Sequence, residues 1–195
     1  SEGLKIISRG NTTLNATVSD HISTGNSQQG VEVTADGAST VMTIDLDNIS
    51  SSTSGNSGMF LQARASGTLN ATLVDSSIDN NTSSGLFIGG LSSANINVKV
   101  ESTDVTNSTL FNLNLGDTTS GTYNIDLGGG SIGSTGQNRF FNSGNVDVFS
   151  NLNGSNVSAQ SNWWGTPSGL LAGEINAISG GSVDSSNHLG VDPRP

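Results

Sequence analysis

Three acidic residues, Asp45, Glu101 and Asp126, sit in long alternating runs of the chain, where paired carboxylates could perform general acid–base chemistry. Asp45 lies four residues before Ile49, Glu101 four before Val105 and Asp126 six before Ile132. If these apolar residues mark successive turns of one repeat, Asp45 and Glu101 share a column two turns apart, separated by about 9–10 Å. That separation suits an inverting carboxylate pair. Against it, position 74 between them is Val, no His or Arg column stands nearby, and no Asp-Asp motif occurs. The two histidines, His21 and His188, lie near opposite ends of the chain without a second His or Cys at ligand spacing. Metal catalysis and nucleophilic triads therefore lack their parts. Gly128-Gly129-Gly130-Ser131 lacks the lysine and following helix of a phosphate loop and reads as the turn before a closing strand. Isolated turn carboxylates (Asp20, Asp47, Asp75, Asp104) would take calcium only weakly. The expectation is no catalytic residue, no metal site and no cofactor.

Charge narrows the partners. Formal net charge is −10, and the six basic residues, Lys5, Arg9, Arg64, Lys99, Arg139 and Arg194, are scattered. Without a basic stripe, nucleic acid and anionic membrane surfaces are poor partners. No apolar run approaches the length of a transmembrane helix. Cysteine is absent, which excludes disulfide staples and thiolate sites. An acidic, Lys-poor chain rich in Gly, Ser, Asn and Thr suits a secreted or cell-surface protein. The chain opens with Ser1-Glu2-Gly3 already inside a repeat, which reads as a mature product or an excised piece.

The elements that would position these side chains follow from a repeat. An opening unit of apolar-x-apolar type recurs at Gly3-Leu4-Lys5-Ile6, Gly30-Val31-Glu32-Val33, Gly58-Met59-Phe60-Leu61, Gly85-Leu86-Phe87-Ile88 and Asn112-Leu113-Asn114-Leu115, in steps of 27, 28, 27 and 27. A closing apolar residue follows in step as Ile22, Ile49, Ile78, Val105 and Ile132. A fixed period in this range marks stacked units, none able to bury its apolar face alone. Between the two markers run alternating segments such as Leu14/Ala16/Val18, Met42/Ile44/Leu46, Leu69/Ala71/Leu73, Ile96/Val98/Val100 and Tyr123/Ile125/Leu127, with period-2 strand character. Three short strands per coil, without helical periodicity, predict an all-β parallel β-helix with coils of about 27 residues.

The coils are expected over residues 1–160. Asn138–Phe141 and Asn145–Phe149 read as one last, enlarged coil, and residues 161–195 as a capping segment in which Trp163 and Trp164 cover the open end of the core or form an interface. No comparable cap precedes Leu4, so the N-terminal end is expected to be occupied by earlier coils of a longer parent or by another copy stacked end to end.

Units such as Asp75-Ser76-Ser77-Ile78-Asp79-Asn80-Asn81-Thr82-Ser83-Ser84-Gly85 resemble the right-handed parallel β-helix repeat proteins of the pectate-lyase-like superfamily. The stretch from Gly136 through Ser161-Asn162-Trp163-Trp164-Gly165 to Val183-Asp184 looks like their C-terminal closing segment. The resemblance implies a right-handed solenoid of an adhesin-like surface or secreted protein. The superfamily's enzymes cluster calcium-binding carboxylates beside a basic residue, or pair aspartates beside a His and an Arg-x-Lys stretch. Neither set is present here. The expected function is a non-enzymatic, extracellular, rigid structural or adhesive segment, the alternative being a polysaccharide-binding or polysaccharide-degrading protein.

One surface column stands out. The middle residue of each opening strand should point outward, giving Lys5, Glu32, Phe60, Phe87 and Asn114. Phe60 and Phe87 would then form an exposed aromatic ladder able to contact a sugar ring or another protein, or simply to pack ring on ring. Numerous Asn-x-Ser/Thr sequons follow from composition and make glycosylation an open expectation only.

Overall fold

The computed structural model describes residues 1–117 and 121–194. It is a β-solenoid of three parallel sheets. Sheet A stacks β1 (Leu4–Arg9), β4 (Val31–Asp36), β7 (Met59–Arg64), β10 (Ser84–Gly90), β13 (Phe111–Asp117), β16 (Val146–Asn151) and β18 (Ile175–Ala177). Sheet B stacks β2 (Thr13–Ser19), β5 (Val41–Asp47), β8 (Thr68–Val74), β11 (Asn95–Glu101), β14 (Thr122–Asp126), β17 (Asn156–Ser158) and β19 (Ser182–Asp184). Sheet C holds the short third strands β3 (Ile22–Thr24), β6 (Ser50–Ser52), β9 (Ser77–Asp79), β12 (Asp104–Thr106) and β15 (Arg139–Phe141).

Each of the first five coils is a strand triplet too small to bury its own apolar face, so the coils stack in register. The sheet A column Leu4, Val31, Met59, Leu86, Leu113, Val148 and Ile175 advances by 27, 28, 27, 27, 35 and 27 residues. From Val31 to Val148 its members are fully buried, as are Met42, Leu69 and Ile96 facing them from sheet B. Burial of each such side chain contributes roughly 1.5–3 kcal/mol. The enlarged coil is the one between β13 and β16, and beyond it β16 to β19 add further strands to sheets A and B. Asn138–Phe149 is therefore not one last coil: β15 closes the enlarged coil and β16 opens the next.

The closing marker is corrected more sharply. Sheet C pairs Ile22 with Ser50 and Ser23 with Ser51, then Ser51 with Ile78, Val105 and Phe140 in turn. Ile22 faces solvent, 75% exposed, and Ile132 lies outside the strands at 36%. Only Ile78 and Val105 of the five share the inward column. In the first two coils that column is Ser23 and Ser51, whose hydroxyls donate to the carbonyls of Gly30 and Gly58 at 2.7 Å. Gly30 is required there, since a Cβ would collide with Ser51 Oγ. A buried serine satisfied by a backbone carbonyl carries no apolar signal.

The corner between sheets B and C is held by a buried polar ladder. The Ile49 amide donates to Ser76 Oγ at 3.0 Å, the Ser76 amide to Thr103 Oγ1 at 3.4 Å, the Thr103 amide to Asn138 Oδ1 at 2.9 Å, and the Asn138 amide to Asn162 Oδ1 at 3.0 Å. The residue before each of these amides takes positive φ at Asn48, Asp75, Ser102 and Gln137, which turns the chain and favours short polar side chains.

Candidate functional site

Sheet A brings Lys5, Glu32, Phe60, Phe87 and Asn114 into one outward column, as their spacing predicts, and adds Phe149 and Asn176 beyond them. Glu32 is not an open surface carboxylate: it is 8% exposed and ion-paired with Lys5 at 2.8 Å. That hydrogen bond raises the Lys5 pKa above its ordinary value. Phe60 and Phe87 are half-buried and stack face to face, 4.5 Å between centroids and 8° from parallel. The Phe87 ring also lies against the backbone of Gly89 and Gly116, where a Cβ would meet it. Asn114 donates to Ser84 Oγ at 3.1 Å, and Phe149 stacks on Phe111 at 5.0 Å. The inner ring faces are occupied by each other, so this column is an apolar ridge and not an open platform for a sugar ring. Phe149 was hidden because the enlarged coil shifts it eight positions beyond the 27-residue step.

The candidate carboxylates are separated by structure. Asp45 shares its column with Thr72, Lys99 and Asp126, whereas Glu101 shares one with Val74 and Asp47. Asp45 and Glu101 are therefore in different columns; the apolar marker that aligned them is out of register. Glu101 is ion-paired with Lys99 at 2.9 Å, and that bond lowers its pKa. Asp126 is fully buried, and its carboxylate accepts four backbone hydrogen bonds, from Gly128 (3.0 Å), Gly130 (2.9 Å), Ile132 (3.0 Å) and Ser134 (3.1 Å). The glycine run wraps this carboxylate and leads into a loop, not directly into a closing strand.

Of the turn aspartates, Asp104 pairs with Arg139 and Arg194, and Asp20 accepts from Asn48 at 2.7 Å. Among the described residues no three His, Cys, Asp or Glu side chains come together as a metal-binding group. Trp163 and Trp164 are buried. Trp163 bridges to Arg139 in the manner of a further sheet C strand, and Trp164 packs on Phe140 with centroids 5.1 Å apart.

A second group escaped the sequence reading. The position just before Val31, Met59 and Leu86 of the sheet A column is a glycine, and in the coils that follow it is Asn112, then Asp147, then Glu174, the last in the 3-10 turn that leads into β18. Asp147 is 4% exposed, accepts from Asn112 Nδ2 at 2.6 Å and from the Ser143 amide at 3.2 Å, and has its pKa raised chiefly by burial, with the Glu174 charge adding to it. These carboxylates line a pocket of about 250 Å³ with Ser143, Trp164 and Leu171. The visible signal was the break in the glycine column at Asn112.

Comparison of the chain with protein-family models, curated proteins and solved structures gives no match. No helix among the described residues is long and apolar enough to cross a membrane.

Proposed function

We propose that this chain is a rigid, non-enzymatic segment of an extracellular β-solenoid, of the pectate-lyase-like kind, with a structural or adhesive role at a cell surface, fibre or matrix. The observation that carries the reading is the unbroken register of sheets A and B across seven strands each. Parallel ladders of this kind make a stiff rod whose length grows with coil number and whose surface columns repeat at the strand spacing. The carboxylates most suggestive of chemistry support it, because Asp126 organises a loop and Glu101 is held by Lys99. The ridge of Phe60 and Phe87 is the adhesive surface in this reading, suited to an apolar protein contact.

The test has two arms. Acidic and neutral polysaccharides incubated with the chain should yield no cleavage products, and reproducible depolymerisation would end the non-enzymatic reading. Adhesion of the chain to cells or matrix should fall in a Phe60→Ser/Phe87→Ser double variant that retains its fold; unchanged adhesion would remove the ridge from the proposal.

Polysaccharide binding is the second reading, and one observation favours it. On sheet B the outward positions Thr43, Asn70, Asn97 and Asn124 form a polar column along the solenoid axis, with Asn97 Nδ2 donating to Asn70 Oδ1 at 2.8 Å. With Thr72 and Lys99 they line a shallow groove of about 370 Å³. A hydroxyl-rich chain laid along that axis would meet an amide or hydroxyl at each coil.

A further inference from the structure

We propose that the outward groove along sheet C docks an extended peptide segment of a partner protein, one with an acidic residue, a basic residue two positions later and a second basic residue beyond it. Strand pairing lines up Arg139, Asp104, Ser77 and Ser50 on four successive coils. The chain itself shows what this column accepts. After Leu189, whose amide donates to the Asn162 carbonyl at 2.9 Å, residues 190–194 run back along the column as a strap from Arg139 toward Asp104. Asp192 accepts from Arg139 Nη2 at 3.0 Å. Arg194 donates from Nε to Asp104 Oδ1 at 3.1 Å and from Nη2 to the same oxygen, while Arg139 Nη1 donates to Asp104 Oδ2 at 3.1 Å. The column presents a cation and then an anion on neighbouring coils, and the strap answers with an anion and then a cation two residues apart. An extended chain advances about 6.6 Å in two residues, enough to step between coils spaced about 4.8 Å apart.

The groove continues past Arg194. A cavity of about 320 Å³ runs on over the next two coils, lined by Asn48, Ser50, Asp75 and Ser77 beside Asp104. Asp75 is exposed, and among the described residues its carboxylate has no hydrogen bond or ion pair. A guanidinium seated on Asp104 with an unpaired carboxylate one coil further on selects a second basic side chain after the first. The strap is suited to exchange. Among the described residues its polar contacts with the coils are these ion pairs alone, and Val191 is 77% exposed. The four charged side chains keep 20–34% of their surface in water, where ion pairs hold weakly. A strap closed about 90% of the time lowers the apparent affinity of a competing peptide about tenfold. The strap therefore reserves the groove for a segment that adds the contact to Asp75.

The experiment titrates the whole chain and its Arg194→Glu variant with a fluorescent peptide, Gly-Val-Asp-Pro-Arg-Pro-Lys, which copies residues 190–195 and adds a lysine. Binding is read by anisotropy and by amide chemical shifts. Arg194→Glu sets a negative charge against Asp104, so the Val191 and Asp192 amides should move to the positions of an unstructured chain. The peptide should then bind saturably, about tenfold tighter than to the parent, and shift the Ser77 and Asp104 amides. Asp75→Asn, which breaks no hydrogen bond of the fold, should weaken that binding about tenfold when added to Arg194→Glu, the loss of one charge-assisted contact. The peptide with both basic residues changed to glutamate should not bind. Five results overturn the proposal: Val191 and Asp192 amides unmoved in Arg194→Glu, no saturable binding to that variant at millimolar peptide, equal binding of the charge-reversed peptide, binding indifferent to Asp75→Asn, or self-association of the parent that Arg194→Glu abolishes, which would give the groove to a second copy.

Discussion

The rings of Phe60 and Phe87, on adjacent sheet A strands, lie 4.5 Å apart and 8° from parallel, so each coil hands its outward aromatic to the next. Stacked aromatic pairs contribute about 0.5–1.5 kcal/mol beyond their buried area. A double-mutant cycle with Phe60→Ala and Phe87→Ala, read by urea denaturation, should return a coupling in that range. A coupling indistinguishable from zero would mean the rings pack against their own coils and not on each other.

Asp126 tests whether a buried carboxylate can organise a loop. Hydrogen bonds to a charged acceptor are worth about 1.5–3 kcal/mol each, though four on one carboxylate do not add fully. Asp126→Ala should cost about 3 kcal/mol or more and speed hydrogen exchange at the Gly130, Ile132 and Ser134 amides, leaving the β5 and β8 amides protected. Uniformly faster exchange across the solenoid would show that the loop and the coils open together.

The core columns make the inside and outside of each strand testable. Val98→Asp or Ile88→Asp should unfold the middle coils, because each site is fully buried and an unpaired buried charge costs several kcal/mol. Thr72→Asp should shift the melting temperature little, since Thr72 faces outward beside Lys99. Asn97→Asp is not neutral: it sets a carboxylate against Asn70 Oδ1, loses a 2.8 Å hydrogen bond, and should cost about 0.5–1.5 kcal/mol.

Asp147 predicts a pH dependence with a definite sign. Burial raises its pKa in the folded state above the ordinary carboxylate value. The folded protein therefore holds this proton more tightly than the unfolded chain, and the resulting stabilisation is complete below the unfolded pKa. It is lost as pH rises through the folded pKa. The stability of the parent relative to Asp147→Asn should accordingly fall across the mildly acidic range, measured by denaturation at a series of pH values. A difference that is flat, or that grows with pH, contradicts the burial of this carboxylate.

The first coil suggests association. Strands β1, β2 and β3 each pair on one side only, and Leu4, Ile6, Leu14, Ala16 and Val18 are less buried than their counterparts in later coils. Open edges of parallel sheet template further pairing. Sedimentation of this chain should show concentration-dependent self-association that Leu14→Lys weakens. A species strictly monomeric at high concentration would show that this face has no affinity for a second copy.

The coil period, the solenoid class and the outward column from Lys5 to Asn114 were legible in the residues, because an apolar-x-apolar strand repeated at a constant step has only one way to bury itself: against its own copy. Ile88 and Val98 could be placed inside for the same reason. What the residues did not disclose was where polar atoms find partners. Ser23 and Ser51 turn inward onto glycine carbonyls, so Ile22, the apolar neighbour, is left in water. The Asp126 carboxylate is taken up by four amides of the loop that follows it, a convergence that residue types alone do not show. Asp147 and Glu174 stand on neighbouring coils only because β18, a short strand that no repeat marker announces, stacks on β16. Apolar burial is additive and periodic and so is written along the chain, whereas a hydrogen bond needs distance and direction, which exist only once the coils are stacked.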